Sequence, residues 1–137
     1  MKINVINVGS KVHEKDLKEY CSDLKKRISA YAQINDLICK NEKQLYHILK
    51  NLKNVIILDV EGDTLNSNQF AMLLFQDTTF VIGPHDGFSK YTKEELKKKY
   101  KFISLSNLTL PHRLCRAILL EQIYRGFCII NNHPYAK

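Results

Sequence analysis

Between residues 105 and 116 the chain reads Leu-Ser-Asn-Leu-Thr-Leu-Pro-His-Arg-Leu-Cys-Arg, and most of its candidate chemistry is gathered there. Ser106, Asn107 and Thr109 supply small polar groups just before Pro111, a residue that fits the first helical turn because its missing N–H would be unpaired there anyway. His112, Arg113 and Arg116 follow at once. A helix start with unpaired N–H groups and basic side chains suits an anion or a polar ligand. The plainer alternative is that Thr109 merely caps the helix. Cys115 stands one helical turn after His112, the spacing of a thiol and its base; a packed thiol is the preferred reading.

The segment Gly83-Pro-His-Asp-Gly87 has the position of a nucleotide loop. It lacks the G-x-G-x-x-G spacing and the Lys-Ser/Thr of a P-loop, which argues against an ordinary dinucleotide or phosphate cradle. His85 and Asp86 as a catalytic pair would need a nucleophile that the sequence does not identify, and two glycines this close serve the geometry of a turn. Cys21, Cys39, Cys115 and Cys128 include no C-x-x-C pair. That argues against a zinc site or redox motif and for reduced thiols in a core.

The elements that must hold these residues alternate along the chain. Residues 2–9 alternate Ile3, Val5 and Val8 with polar neighbours and end at Gly9, a strand and turn. From His13 to Tyr31 the spacing of Leu17, Tyr20, Cys21, Leu24 and Ile28 predicts an amphipathic helix. A strand over 34–39 and a helix over 42–52 follow. Residues 55–59 form a continuous apolar run ending in a carboxylate, the pattern of a strand covered on both faces, with Gly62 making the next turn. Ser67 is expected to cap a helix burying Phe70, Leu73 and Leu74. Residues 79–83 form another buried strand, Thr92 caps the helix carrying Leu96, and residues 102–105 form the last strand. A final helix over 111–127 places Leu114, Ile118, Leu119 and Ile123 on one face. This order predicts a single α/β domain spanning 1–137 around a mostly parallel sheet. Ligands of such sheets lie beyond the carboxyl ends of the strands, which selects the loops after Asp59, Gly83 and Leu105.

Composition narrows the function. The 137 residues include 45% hydrophobic ones, enough for a core without staples, and no stretch approaches the roughly 20 apolar residues of a membrane span. The first residues alternate polar and apolar where a signal peptide would be continuously apolar, so a cytoplasmic location is expected. Twenty-one Lys and Arg face 14 acidic residues, a net charge of +7 that favours a polyanionic partner, RNA above all. Runs such as Lys25-Lys26-Arg27 and Lys97-Lys98-Lys99 are more often just solvated helix faces.

Taken together, Val5-Ile-Asn-Val-Gly9, Val55-Ile-Ile-Leu-Asp-Val-Glu-Gly62, Phe80-Val-Ile-Gly-Pro-His-Asp-Gly-Phe-Ser89, Ile103-Ser-Leu-Ser-Asn-Leu-Thr-Leu-Pro-His112, Leu119-Leu-Glu-Gln-Ile-Tyr-Arg125 and Asn132-His-Pro-Tyr135 resemble, in order and spacing, the RlmH-type ribosomal RNA methyltransferases of the SPOUT superfamily. The resemblance covers essentially the whole chain, which is short for that family in the region after Cys39. It implies a Rossmann-like parallel sheet whose C-terminal chain threads a loop to form a deep trefoil knot, in a homodimer. It also implies transfer of a methyl group from S-adenosylmethionine to N3 of a pseudouridine in large-subunit (23S) ribosomal RNA, on the assembled 70S ribosome. No metal and no membrane are implied.

Carried over by position, Leu58, Gly83, Pro84, Leu105, Ser106, Asn107, Leu108, Thr109, Leu110 and Pro111 would wrap the cofactor. His112, Arg116, Arg125, His133 and Tyr135 would face the target nucleotide, and the tail would complete the pocket of the partner subunit. A histidine, or a carboxylate such as Glu61, could take the N3 proton, with assistance from His133 or Tyr135 favoured. Arg116 and Arg125 would hold phosphate or stabilise charge on the uracil carbonyls, while Arg125 has a competing ion pair with Glu121 one turn earlier. Two positions depart from the family pattern: Pro84 stands where a glycine is usual and Ala136 where a histidine is usual. A ribosome-associated protein without efficient catalysis, and an enzyme of the same superfamily acting on transfer RNA, are the alternatives.

Overall fold

A computed structural model describes residues 1–9 and 15–136. The elements are β1 (Lys2–Val8), α1 (Lys18–Ile28), β2 (Gln33–Cys39), α2 (Glu42–Leu49), β3 (Val55–Thr64), α3 (Ser67–Ala71), a 3-10 turn (Met72–Phe75), β4 (Thr78–Ile82), α4 (Lys90–Lys99), β5 (Lys101–Ser104), α5 (His112–Ile130) and a terminal 3-10 turn (Pro134–Ala136). The five strands form one sheet in the order β2-β1-β4-β3-β5, and every pairing is parallel. Parallel strands need crossover helices, which cover both faces, and this is why β4 is buried at every position and β3 over its first four. One face packs Ile3, Val5, Phe80 and Ile103 against α1, α3 and α5. The other packs Ile6, Ile57 and Val81 against Leu45 and Leu49 of α2 and Leu96 of α4.

Several helix starts differ from the expected ones. Asn66, not Ser67, caps α3, its side chain accepting from Gln69 N while Gln69 reaches back to the Asn66 backbone; Ser67 instead donates to Gln122. Ser89, not Thr92, caps α4; Thr92 is buried in the first turn and its hydroxyl donates to Glu42 at 2.7 Å. No side chain caps α5, where Pro111 occupies the cap position and Thr109 stays exposed. In each case the cap differs from the polar residue nearest the apolar pattern. Helix α2 ends at Leu49, short of Leu52, and α5 runs on to Ile130, past Phe127. The expected start of the first helix at His13 lies outside the described residues, and α1 begins at Lys18. Along α5 the buried positions are Ala117, Leu119, Leu120, Ile123, Tyr124, Gly126, Phe127 and Cys128; Leu114 and Ile118 are only half-buried, because α1 and α3 flank the helix and set its inner side.

Gly62 makes no turn. It lies within β3, which pairs Leu58 with Ile103 and then Asp63 with the same Ile103, so that residues 59–62 bulge out of the ladder. A Cβ on Gly62 would sit 2.5 Å from the Ile103 backbone, so this close approach admits only glycine.

Candidate active site

The carboxyl ends of β3, β4 and β5 open onto a cavity of about 450 Å³. Leu58 closes the buried run of β3, Gly83 and Pro84 follow β4, and Leu105, Ser106, Leu108 and Leu110 follow β5; all line it together with His112. Three expected residues on the same segment do not. Asn107 turns to Thr64, whose hydroxyl donates to Asn107 Oδ1 at 2.9 Å, and Thr109 and Pro111 are exposed. The segment is braced by its own serines, with Ser104 Oγ donating to Ser106 O at 2.8 Å and Leu108 N donating to Ser106 Oγ at 2.9 Å. Leu108 is thereby held at the mouth, 76% exposed. Pro84 leaves the turn closed, since its carbonyl accepts from Gly87 N at 2.8 Å.

The bulge in β3 brings in groups that sequence reasoning missed. Asp59 and Val60 line the cavity, as does Lys93 from the first turn of α4. Lys93 Nζ pairs with Asp59 at 3.1 Å and with Glu61 at 2.7 Å, and Lys97 also reaches Glu61, at 3.0 Å. The hydrogen bonds and charges of these two lysines pull the Glu61 carboxyl down to about 2. Burial pulls the Lys93 ammonium down, but Glu61 and Asp59 outweigh it and hold the ammonium above its ordinary value. Glu61 is therefore a poor proton acceptor at neutral pH. The strand-end carboxylate Asp59 was legible in the sequence as a loop marker, whereas nothing local marked Lys93 as its partner.

His112 Nε2 lies 2.8 Å from the Gly83 carbonyl oxygen. A carbonyl only accepts, so Nε2 carries a proton, and in the neutral ring the Nδ1 lone pair is then available. The ring of His85 stands 5.4 Å from that of His112, also on the cavity wall. Cys115 lines the cavity and its thiol donates to Pro111 O, which occupies it as a packed group. Arg116 is 16% exposed and pairs with Asp36 at 2.8 Å, which Lys25 also contacts. Burial would raise the Asp36 carboxyl, and the Arg116 and Lys25 hydrogen bonds more than reverse this.

The other expected residues lie at the far end of α5, whose 19 residues span about 28 Å. Arg125 pairs with Glu121 at 2.6 Å and stacks over the Tyr135 ring at 5.2 Å, so in one chain the ion pair holds this guanidinium. Asn132 follows α5 in the left-handed region, with φ 55°, while His133 N donates to Cys128 O at 2.8 Å and Asn132 N to Ile129 O at 3.3 Å. This stop folds the tail onto α5, where Tyr135 packs 4.6 Å from Tyr124 and donates to Glu121 at 3.4 Å. Burial and the Glu121 charge push the Tyr135 phenol up, so it remains a hydrogen-bond donor. His133 Nδ1 accepts from Tyr135 N at 3.1 Å. One copy of the chain thus joins most of the expected cofactor residues with His112 but sets Arg125, His133 and Tyr135 towards the other end of the helix.

A parallel sheet with a strand-end cavity walled by the segment that leads into its C-terminal helix is the setting of a group-transfer enzyme, and the chain belongs to the SPOUT methyltransferase family, whose model, described as "Predicted SPOUT methyltransferase", matches residues 1–136. Among relatives, it is 33% identical over 146 residues to the ribosomal RNA large subunit methyltransferase H of Koribacter versatilis, covering 98% of this chain and 97% of that one. It is 36% identical over 157 residues to the protein of the same name from Caldicellulosiruptor saccharolyticus, covering 98% and 99%. A solved structure from Legionella pneumophila, holding the cofactor SAM, shares the fold with a TM-score of 0.53 at 14% identity, over 90% of this chain and 65% of that one.

Proposed function

We propose that this chain is an S-adenosylmethionine-dependent methyltransferase acting on N3 of a pseudouridine in large-subunit ribosomal RNA within the assembled ribosome. The observation that carries this reading is the convergence of Leu58, Gly83, Pro84, Leu105, Ser106, Leu108, Leu110 and His112 on one strand-end cavity. A volume of about 450 Å³, with apolar side chains and the exposed backbone of two turns, fits a nucleoside-sized group. The names carried by full-length relatives support ribosomal RNA as substrate.

When bound, S-adenosylmethionine supplies a methyl carbon activated by its own sulfonium leaving group. The protein must orient the acceptor and remove its proton. His112 Nδ1, beside the cavity, is the proton acceptor in this reading, and His133 and Tyr135 act as donors to the uracil carbonyls. Since these donors lie towards the far end of α5 from the cavity, a second subunit must bring them in. This favours a homodimer whose tails complete each other's sites, built from one domain per chain with the trefoil knot of the family. Arg116 and Arg125 serve phosphate or carbonyl contacts once their carboxylate partners are displaced or shared.

Transfer of a labelled methyl group to intact ribosomes lacking the modification, with naked ribosomal RNA and transfer RNA in parallel, tests this. Label on ribosomes alone is expected. Absence of label on either, from a folded dimer, overturns catalysis in favour of a binding role, and label on transfer RNA alone overturns the substrate.

A further inference from the structure

The protein's excess positive charge is not spread evenly. Residues 40–54 and 88–101 hold ten lysines and three carboxylates, while the rest of the chain holds eleven basic and eleven acidic residues. The net charge of +7 thus belongs to the two helices, α2 and α4, that cover one face of the sheet, and to their flanking turns. Elsewhere five cations are neutralised in place: Lys25 and Arg116 by Asp36, Arg27 by Asp23, Arg113 by Asp16 and Arg125 by Glu121.

Within the basic layer, Lys93, Lys97 and Lys98 are paired, but Lys40, Lys43 and Lys50 take part in no ion pair among the described residues. Glu42, the one carboxylate of α2, is occupied elsewhere, accepting from Ser89 N at 2.8 Å, Ser89 Oγ at 3.0 Å and Thr92 Oγ1 at 2.7 Å. Burial would raise its carboxyl, and these bonds hold it down instead. They also fasten the start of α2 to the start of α4, immediately after the turn that walls the cavity.

Lys43, His47 and Lys50 stand at i, i+4 and i+7 on α2 with Lys40 just ahead of the cap, and together they line a surface groove of about 640 Å³. From Lys43 to Lys50 the row extends about 10 Å, the axial run of about three phosphates along one strand of a duplex. No large apolar side chain of α2 is exposed, which a helix lying in a lipid surface would require. No exposed Phe, Tyr or Trp of this helix offers a platform for unstacked bases either. The chemistry left is recognition of a polyphosphate backbone.

We infer that the face formed by Lys40, Lys43, His47 and Lys50 is a docking surface for the phosphate backbone of RNA, separate from the cavity and fixed to it through Glu42. This rests on the reading of the chain as an RNA-directed enzyme and adds where the RNA outside the target nucleotide is held.

The test compares the triple variant Lys40→Gln, Lys43→Gln, Lys50→Gln with Lys15→Gln, Lys18→Gln, Lys26→Gln, which removes the same charge from exposed positions in and just before α1. Affinity for intact ribosomes and for a short RNA duplex is measured across a salt series, with S-adenosylmethionine affinity measured by calorimetry. The first variant is expected to lose at least about tenfold in RNA affinity and to flatten the slope of log affinity against log salt by about 2–3, with cofactor binding unchanged. The second should retain the parental slope. Equal loss in both variants assigns the effect to net charge and overturns the surface, as does unaltered binding by the first or a parent that binds no RNA. Binding of the parent to phosphatidylserine vesicles that RNA fails to displace overturns it in favour of a membrane. A parent that docks through this face but methylates nothing upholds the surface and removes the proposed reaction, whereas methylation with an unaffected first variant does the reverse.

Discussion

The Nε2 of His112 sits 2.8 Å from the carbonyl oxygen of Gly83, tying the first turn of α5 to the turn after β4 and so fastening two walls of one cavity. Such a hydrogen bond contributes about 0.5–1.5 kcal/mol, and about 1.4 kcal/mol is tenfold in affinity. His112→Ala is therefore expected to weaken cofactor binding several-fold, up to about tenfold. His112→Gln keeps a donor but has no nitrogen lone pair, so it should retain most of that affinity while turnover falls. Calorimetry beside a methyl-transfer assay separates the two effects; an alanine variant with parental affinity would show that the clasp is not part of the cofactor site.

Leu108 is 76% exposed at the cavity mouth, so replacing it leaves the core intact. Leu108→Arg is expected to abolish S-adenosylmethionine binding with unfolding stability within about 0.5 kcal/mol of the parent. Unchanged binding would remove this segment from the site.

The distance along α5 between His112 and the tail carrying Tyr135 makes the site's dependence on a second copy testable by mixing. Deleting residues 134–137 should stop transfer and spare cofactor binding. When this chain is combined with the Leu108→Arg chain, mixed dimers carry one cavity and one tail that belong together, and part of the activity should return. If the mixture stays inactive although both chains form mixed dimers, the tail serves its own subunit.

Glu61 offers a pH signature. Its folded carboxyl titrates at about 2 against an ordinary 4.5, so the stability it contributes is complete above about pH 4.5 and is lost as pH falls through about 2. Thermal midpoints of the parent and Glu61→Gln should differ by a constant amount above about pH 4.5 and converge towards about pH 2. The same depression predicts that Glu61→Gln leaves the pH dependence of turnover near neutrality unaltered. A lost acidic limb in that profile would restore Glu61 as the base.

At Gly62 a Cβ meets the Ile103 backbone at 2.5 Å, and backbone atoms in a paired strand have little room to yield. Gly62→Ala should destabilise by at least about 2 kcal/mol in denaturant titration and weaken cofactor binding by shifting Asp59 and Val60. A variant with parental stability would mean that the bulge relaxes freely.

The parallel α/β architecture and the three loops at the strand ends are legible from the amino-acid order, because continuous apolar runs and helical spacing are local signals. The strand expected at 79–83 appears one residue earlier, at Thr78–Ile82. Boundaries set by caps are less so: a polar residue such as Ser67 or Thr92 is as good a cap as Asn66 or Ser89 until the backbone chooses. The motifs around Gly83 and Ser106 carry the family resemblance, and the matching family model bears it out.

Which residues belong to the strand-end loops, and which family they mark, thus follows from sequence alone. What those residues do to one another is settled by tertiary packing. Glu61 looked like a base until Lys93 and Lys97, distant in the chain, pulled its carboxyl down. Gly62 looked like a turn until Ile103 came against it, and Arg116, expected to face a phosphate or a uracil carbonyl, is met by Asp36 of β2. Each of these outcomes depends on pairings between segments far apart in the chain, where charge and contact act through space and leave no trace in local spacing.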